Sequence, residues 1–150
     1  MTQREFATRR QSLITALVEA LKGIDGTGEF LTNVENNVHP RLKFWDEVDQ
    51  FPALHLNAGS ETREYLGGGQ RHRFLSLTIR CYVKSEDAVD DLDKLLEDVE
   101  TTIENNSALK YFDKRGVEQT AHQMTVVSID TDEGVLEPLG VGEVLVEVRY

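Results

Sequence analysis

The carboxylates at residues 130–133 are the side chains whose type and spacing come closest to a reactive site. Asp130 and Asp132 follow a mostly apolar run, and a strand followed by Asp-x-Asp is typical of phosphotransferases in which the first Asp attacks phosphorus. Gly134 stands where those enzymes have Thr or Val, and too little sequence follows it to supply their lysine and second acidic pair. We therefore interpret both aspartates as turn formers. A small Mg²⁺-dependent hydrolase using Asp130, Asp132 and His122 is the enzymatic alternative.

The other residues that often carry chemistry do not form a recognisable set. The four histidines, His39, His55, His72 and His122, lack metal-ligand spacing and have no companion cysteine cluster. His55 and His122 are predicted to be structural, and His72 to be exposed between two arginines. Cys81 lies in an alternating strand pattern and is predicted to be a small buried side chain. We expect no catalytic residue, no bound metal and no cofactor.

Gly67, Gly68, Gly69 and Gln70 form a glycine-rich segment that can turn the chain back. A phosphate-binding loop needs Gly-Lys-Ser/Thr and opens a helix, whereas this segment joins two strand patterns. It is predicted to be a hinge or a contact loop.

Composition limits the class of protein. The 150 residues suffice for one domain, 1–150, and 29% of them are charged, which is typical of a soluble globular protein. No apolar run is long enough for a membrane span or a secretory signal, so we expect a protein that is made and assembled in the cytoplasm. The net charge of -11 argues against a nucleic-acid clamp, although an acidic surface also suits a protein beside which DNA passes.

Two segments have the periodicity of amphipathic helices. The first is predicted to begin at a capping box of Thr2 and Glu5 and to end near Gly23. The second is predicted to begin at Ser85 and to end near residue 105. Its apolar positions are Ala88, Leu92, Leu95, Leu96, Val99 and Ile103, and its acidic positions are Asp90, Asp91, Asp93, Glu97, Asp98 and Glu100.

Strand patterns occupy most of the remaining sequence. A short strand is predicted at residues 29–34, and a long hairpin at 53–65 and 72–83 with its tip at Gly67 to Gln70. Strands are also predicted at 121–130 and 143–150, joined by a loop. The predicted fold class is α+β, with a mainly antiparallel or mixed sheet of about five strands and two main helices packed on one face.

Three segments carry a resemblance to a known family. Residues 51–61, the strand-to-helix passage at 77–96 and the closing segment at 131–140 resemble the tail terminator proteins of tailed bacteriophages. The resemblance implies a non-enzymatic protein that forms a hexameric ring on the last ring of tail-tube subunits, stops tube growth and presents a surface for joining the head. The implied partners are other copies of the chain, the tail-tube protein and the head-tail connector or neck proteins, in the head-proximal tail of the virion. Another neck or tail-completion protein of similar size is the structural alternative.

Within that resemblance, two surfaces are expected to make contacts. The candidate assembly contacts are Gly67, Gly68, Gly69, Gln70, Thr131, Asp132, Glu133, Val135, Leu136 and Leu139; the alternative is that the apolar members fold back on their own core. DNA passing through a ring without specific binding favours an acidic lumen. The candidates for it are Asp90, Asp91, Glu97 and Asp98, or the loop that carries Asp132 and Glu133. The basic cluster of Arg4, Arg9 and Arg10 makes the chain electrostatically asymmetric, and patches of opposite sign can orient neighbouring copies.

Overall fold

The computed structural model describes residues 8–34 and 36–150. It contains two helices and seven strands within these ranges. In chain order they are α1 (Arg9–Leu21), β1 (Val38–His39), β2 (Ala53–Tyr65), β3 (Arg71–Lys84), α2 (Ala88–Asn105), β4 (Lys110–Phe112), β5 (Glu118–Thr120), β6 (Gln123–Thr131) and β7 (Leu139–Arg149). Single 3₁₀ turns occupy Trp45–Glu47 and Gly67–Gly69.

Five strands form the main sheet in the order β1-β2-β3-β7-β6. The short β1 pairs with β2 in parallel, and every other pair in this sheet is antiparallel. Strands β4 and β5 form a separate small hairpin, which the sequence pattern did not predict. The predicted α+β class and the long hairpin of β2 and β3 are confirmed.

One face of the sheet carries the core. In the central pair, Leu75, Leu77 and Ile79 on β3 lie opposite Val148, Val146 and Val144 on β7, and all six side chains are buried. Burying a side chain of this size contributes about 1.5–3 kcal/mol. Buried residues of both helices belong to the same cluster, so the helices pack on one face as predicted.

Helix α1 begins later than its sequence suggested. Thr8 is its N-cap, and the Thr8 hydroxyl accepts a hydrogen bond from the Gln11 amide at 3.3 Å. The predicted capping box of Thr2 and Glu5 lies outside the described residues. The helix ends just before Gly23, as predicted, and its buried residues are Leu13, Ile14, Leu17, Val18 and Leu21.

The prediction that Ser85 caps α2 is wrong. The N-cap is Asp87, whose carboxylate accepts a hydrogen bond from the Asp90 amide at 3.4 Å. The Ser85 amide donates instead to the carbonyl of Pro138 at 2.9 Å, which fixes Ser85 against the chain entering β7. All six predicted apolar positions of α2 are buried.

Two predicted strand boundaries are also wrong. Residues 29–34 form no strand and contribute only the isolated bridge between Asp25 and Asn33. Strand β7 begins at Leu139 instead of residue 143, so the loop before it covers residues 132–138. Gly140 and Gly142 are strand residues; a Cβ on Gly140 would lie 2.7 Å from Val83 Cγ2, and one on Gly142 would lie 3.2 Å from Leu96 Cδ2. Glycine is present there because β7 packs closely on α2 and its neighbours.

Neither α1 nor α2 packs on the other face of the sheet. Tyr82 is buried on this face, because the irregular chain before β2 covers it and the Lys43 carbonyl accepts a hydrogen bond from its hydroxyl at 2.8 Å. His55 is also buried, with Nδ1 at 3.0 Å from the Arg41 carbonyl, so its predicted structural role is confirmed. Towards β6 the face is open, and Val127 is exposed there. Neither α1 nor α2 is long and apolar enough to cross a membrane.

Candidate assembly surfaces

The tip of the β2–β3 hairpin extends into solvent. Gly67–Gly69 forms its 3₁₀ turn, which the Leu66 amide closes by donating to the Gln70 carbonyl at 2.8 Å. Gly68 and Gly69 adopt positive φ angles of 76° and 77°, which L side chains rarely adopt. Every residue from 66 to 70 is exposed, and Tyr65 beside them is 70% exposed. The tip therefore offers an aromatic side chain and free backbone to a partner.

The loop between β6 and β7 is held by Asp132. Its carboxylate accepts hydrogen bonds from the amides of Gly134 at 3.4 Å and Leu136 at 3.2 Å, as expected of a turn former. The Glu133 amide donates to the Thr131 hydroxyl at 3.3 Å, while Glu133 itself adopts a φ of 56°. These bonds fix the shape of the loop.

The apolar residues of this loop divide between surface and core. Val135 is 81% exposed, the largest value among the exposed large apolar side chains of the described residues. Leu136 is half-buried, and Leu139 is half-buried within β7. Leu136 and Leu139 therefore fold back in part on the chain's own core, as the alternative expected. Val135 is the apolar side chain of the loop that is left exposed.

The acidic face of α2 is smaller than predicted. Asp90 and Glu97 are exposed, Asp91 is half-exposed, and Asp90 pairs with Lys94 at 3.0 Å. Asp98 is only 1% exposed, and its carboxylate accepts the amides of Leu31 and Thr32. Asp98 is thus a structural residue and does not belong to an acidic lumen. The same bonds explain why residues 29–34 form no strand, since these amides donate to a side chain instead of a neighbouring strand.

The groups of the enzymatic alternative are not brought together. His122 precedes β6 and Asp130 lies near its far end, so eight residues of extended chain, about 26 Å, separate them. Asp132 is engaged in its turn. Burial raises the pKa of the Cys81 thiol, which disfavours the reactive thiolate. Among the described residues, no group of three or more His, Cys, Asp or Glu side chains is placed to hold a metal ion.

A basic cleft of about 680 Å³ is the feature that sequence reasoning missed. It lies between the start of α1, the distal β2–β3 hairpin and the β4–β5 turn. Its cations are Arg9 and Arg10 from α1, Arg63 from β2, Arg71 and Arg73 from β3, and Lys114 and Arg115 from the β4–β5 turn. Arg9 and Arg10 had been noted as basic. Of the cluster named with them, Arg4 lies outside the described residues, and the other five cations come from segments far apart in sequence.

Tyr150 and Glu61 form the floor of the cleft. The Tyr150 hydroxyl donates to the Glu61 carboxylate, which also accepts from Arg63 Nη2 at 3.0 Å. Burial would raise the pKa of Glu61, but these two hydrogen bonds outweigh burial and lower it. Burial and the bond to Glu61 together raise the pKa of Tyr150. Backbone bonds between Tyr150 and Arg73 in both directions hold this residue in the sheet, as predicted for the closing strand.

Comparison with known proteins agrees with this fold. A chain from the virion of a native gene transfer agent particle superposes with a TM-score of 0.58, covering 93% of this chain and 95% of its own length. At 9% sequence identity, that similarity shows a shared fold.

Sequence comparison identifies the family. The tail tube terminator protein p142 of Escherichia phage T5 is 35% identical over 149 residues, covering 94% of this chain and 92% of that protein. Residues 7–150 match the family described as Bacteriophage Tail Tube Terminator Protein. The match covers every helix and strand described above, so the resemblance seen in the sequence is confirmed and this chain belongs to the bacteriophage tail tube terminator family.

Proposed function

We propose that this chain is a structural protein of the phage tail that binds the end of the tail tube and stops its growth. The observation that carries the proposal is the 35% identity to a tail tube terminator across 94% of the chain. In this role the chain belongs to the head-proximal tail of the virion, where its free surface joins the head and neck proteins.

A non-enzymatic role is supported by how the reactive groups are used. Asp132 shapes a turn, Cys81 is buried in the core, and His122 lies about 26 Å along β6 from Asp130. The two strongly engaged carboxylates of the basic cleft, Glu61 and Asp113, are also bonded to their own chain.

The proposed assembly is a ring of six copies on the tube end. Ring contacts are heterologous, with one patch of each copy meeting a different patch of the next. The hairpin tip Gly67 to Gln70 and the β6–β7 loop with Thr131, Glu133 and Val135 are the proposed contacts. Their exposure supports this, because residues 66–70 and the side chains of Thr131, Glu133 and Val135 are all exposed.

The exposed acidic side of α2 is the proposed lining of the lumen. Asp90, Asp91 and Glu97 lie on that side, whereas Asp98 is excluded by its burial. A carboxylate surface repels DNA phosphates, so DNA can pass without binding.

The proposal is tested with purified chain added to polymerising tail-tube subunits of the same phage. Electron microscopy of the tubes measures their lengths, and native mass spectrometry measures the copies bound per end. Capped tubes of limited length carrying six copies are expected. A chain that leaves tube lengths unchanged contradicts the terminator role, a single bound copy indicates a monomeric adaptor, and Mg²⁺-dependent release of phosphate from a generic ester supports the hydrolase.

A further inference from the structure

The basic cleft holds more positive charge than its own carboxylates balance. It contains seven of the chain's 16 lysines and arginines, although the chain as a whole carries a net charge of -11. The Asp113 carboxylate accepts hydrogen bonds from the amides of Arg115 at 2.8 Å and Val117 at 3.0 Å. The Glu61 carboxylate accepts hydrogen bonds from the side chains of Arg63 and Tyr150. Other cations of the cleft have no ion-pair partner among the described residues. They include Arg9, Arg71, Arg73, Lys114 and Arg115.

Arg73 shows most directly that the cleft is unsatisfied. Its guanidinium lies over the Tyr150 ring at 5.6 Å from the centroid, and its Nε is buried with no hydrogen-bond partner among the described residues. Burial lowers the pKa of Arg73, and the neighbouring charges of Arg9 and Arg71 lower it further. A buried donor without an acceptor is costly, and repulsion between adjacent guanidinium groups adds to that cost. Both costs fall when a carboxylate enters the cleft.

The complementary charge lies at the opposite end of the same sheet. Residues 116–148 contain no lysine or arginine, and the β6–β7 loop within them carries exposed Glu133 and Glu137 around exposed Val135. Leu139 at the end of this loop pairs with Lys84, whereas the cleft lies beside Arg73. Eleven residues of β3 separate these points, about 36 Å. The loop of one copy therefore cannot reach its own cleft.

We propose that the basic cleft of one copy binds the acidic β6–β7 loop of a second copy, with Glu133 and Glu137 meeting the unpaired cations of the cleft. Donor and acceptor lie at opposite ends of each chain, so the contact is head-to-tail and repeats from copy to copy, as a ring requires. This cleft–loop interaction would be the contact between subunits of the proposed tail terminator, and the inference rests on that proposed function. Duplex DNA is disfavoured as the occupant, because its phosphates need cations spread along the duplex, whereas the cations of the cleft converge on one recess.

Paired charge reversals test the contact. The cleft variant is Arg71→Glu with Arg115→Glu, and the loop variant is Glu133→Lys with Glu137→Lys. Arg73 stays intact because its side chain is partly buried against Tyr150, and Asp132 stays intact because its carboxylate fixes the shape of the loop. The matched control is Lys43→Glu with Lys110→Glu, two exposed lysines outside the cleft. Unfolding temperatures establish that all three fold. Copies retained at tail-tube ends and the mass of the free protein are then measured.

Each reversal alone is expected to reduce the copies at tube ends about tenfold or more, while the control behaves as wild type. An equimolar mixture of the cleft and loop variants is expected to restore assembly, because reversed clefts then meet reversed loops and unaltered clefts meet unaltered loops. A mixture that does not recover assembly, or a charge reversal that has no effect, overturns the proposed contact. The terminator role still holds in either case if the wild-type protein caps tubes. Binding of a DNA duplex that only the cleft variant loses, with assembly unchanged, assigns the cleft to DNA. If the wild-type protein does not bind tube ends, the terminator role fails. If the wild-type protein and all variants are then also monomers in solution, the proposed contact is overturned as well.

Discussion

Asp98 Oδ2 lies 2.7 Å from the backbone nitrogen of Thr32 and 2.5 Å from its hydroxyl oxygen. The Leu31 amide approaches the same carboxylate at 3.0 Å, so one buried side chain of α2 fixes the segment between α1 and β1. Residues 31 and 32 belong to no strand, so their amides depend on that carboxylate.

Replacing Asp98 with alanine is expected to destabilise the protein by about 2–3 kcal/mol, because it removes charged hydrogen bonds and leaves buried amides without an acceptor. Urea unfolding of both proteins measures the difference. Asp93→Ala, at an exposed position of the same helix, is the control and is expected to cost less than about 0.5 kcal/mol. Equal effects of the two substitutions contradict the structural role of Asp98.

Glu61→Gln is expected to destabilise the protein in a pH-dependent manner. Although burial opposes ionisation, the bonds from Tyr150 and Arg63 hold the pKa of Glu61 below its usual 4.5. A carboxyl whose pKa is lowered by folding contributes stability above its unfolded pKa and loses it as pH falls through the folded value. The gap in unfolding free energy between wild type and Glu61→Gln should therefore be largest near neutral pH and close in acid. A gap that widens as pH falls, or one matched by Glu64→Gln at an exposed position of β2, contradicts this assignment.

Sequence periodicity predicted the parts of the fold that depend on local burial. The alternation of Leu75, Leu77 and Ile79 identified β3, and the helical spacing of Leu92, Leu95 and Val99 identified the core face of α2. Each periodic pattern lies within a single helix or strand, so residues close together in sequence are enough to predict that element.

The errors arose where a residue serves a distant partner. Asp98 was assigned to the acidic surface by its charge, although it lies three residues after Leu95 and four before Thr102, on the buried side of the helix. Gly140 and Gly142 fell in the predicted loop before residue 143, whereas alternation through Val144 already placed both on the core face of a strand. The basic cleft has no linear signal, because chain folding brings its cations together from α1, β2, β3 and the β4–β5 turn.

Gly140→Ala is expected to destabilise the protein by about 1–3 kcal/mol through overpacking. The added Cβ lies 2.7 Å from Val83 Cγ2 and 3.1 Å from the Ala88 carbonyl oxygen, so strand and helix must separate. Thermal unfolding measures the loss. Gly67→Ala is the matched control, since no atom lies within 4 Å of its new Cβ; an equal loss there contradicts the close packing of β7 on α2.

Val135→Asp separates assembly from folding. Because Val135 is 81% exposed, the substitution is expected to change the free energy of unfolding by less than about 0.5 kcal/mol. If Val135 meets an apolar surface of the tube or of another copy, the added carboxylate loses its water on binding without gaining a partner, and retention at tube ends should fall. Val127→Asp, at a 56% exposed position on the open sheet face, is the control and should retain assembly. Tube-end retention and urea unfolding are measured on the same samples. Loss of the fold in Val135→Asp shows that Val135 supports its own chain, and equal loss of assembly in both variants contradicts a contact that is specific to the loop.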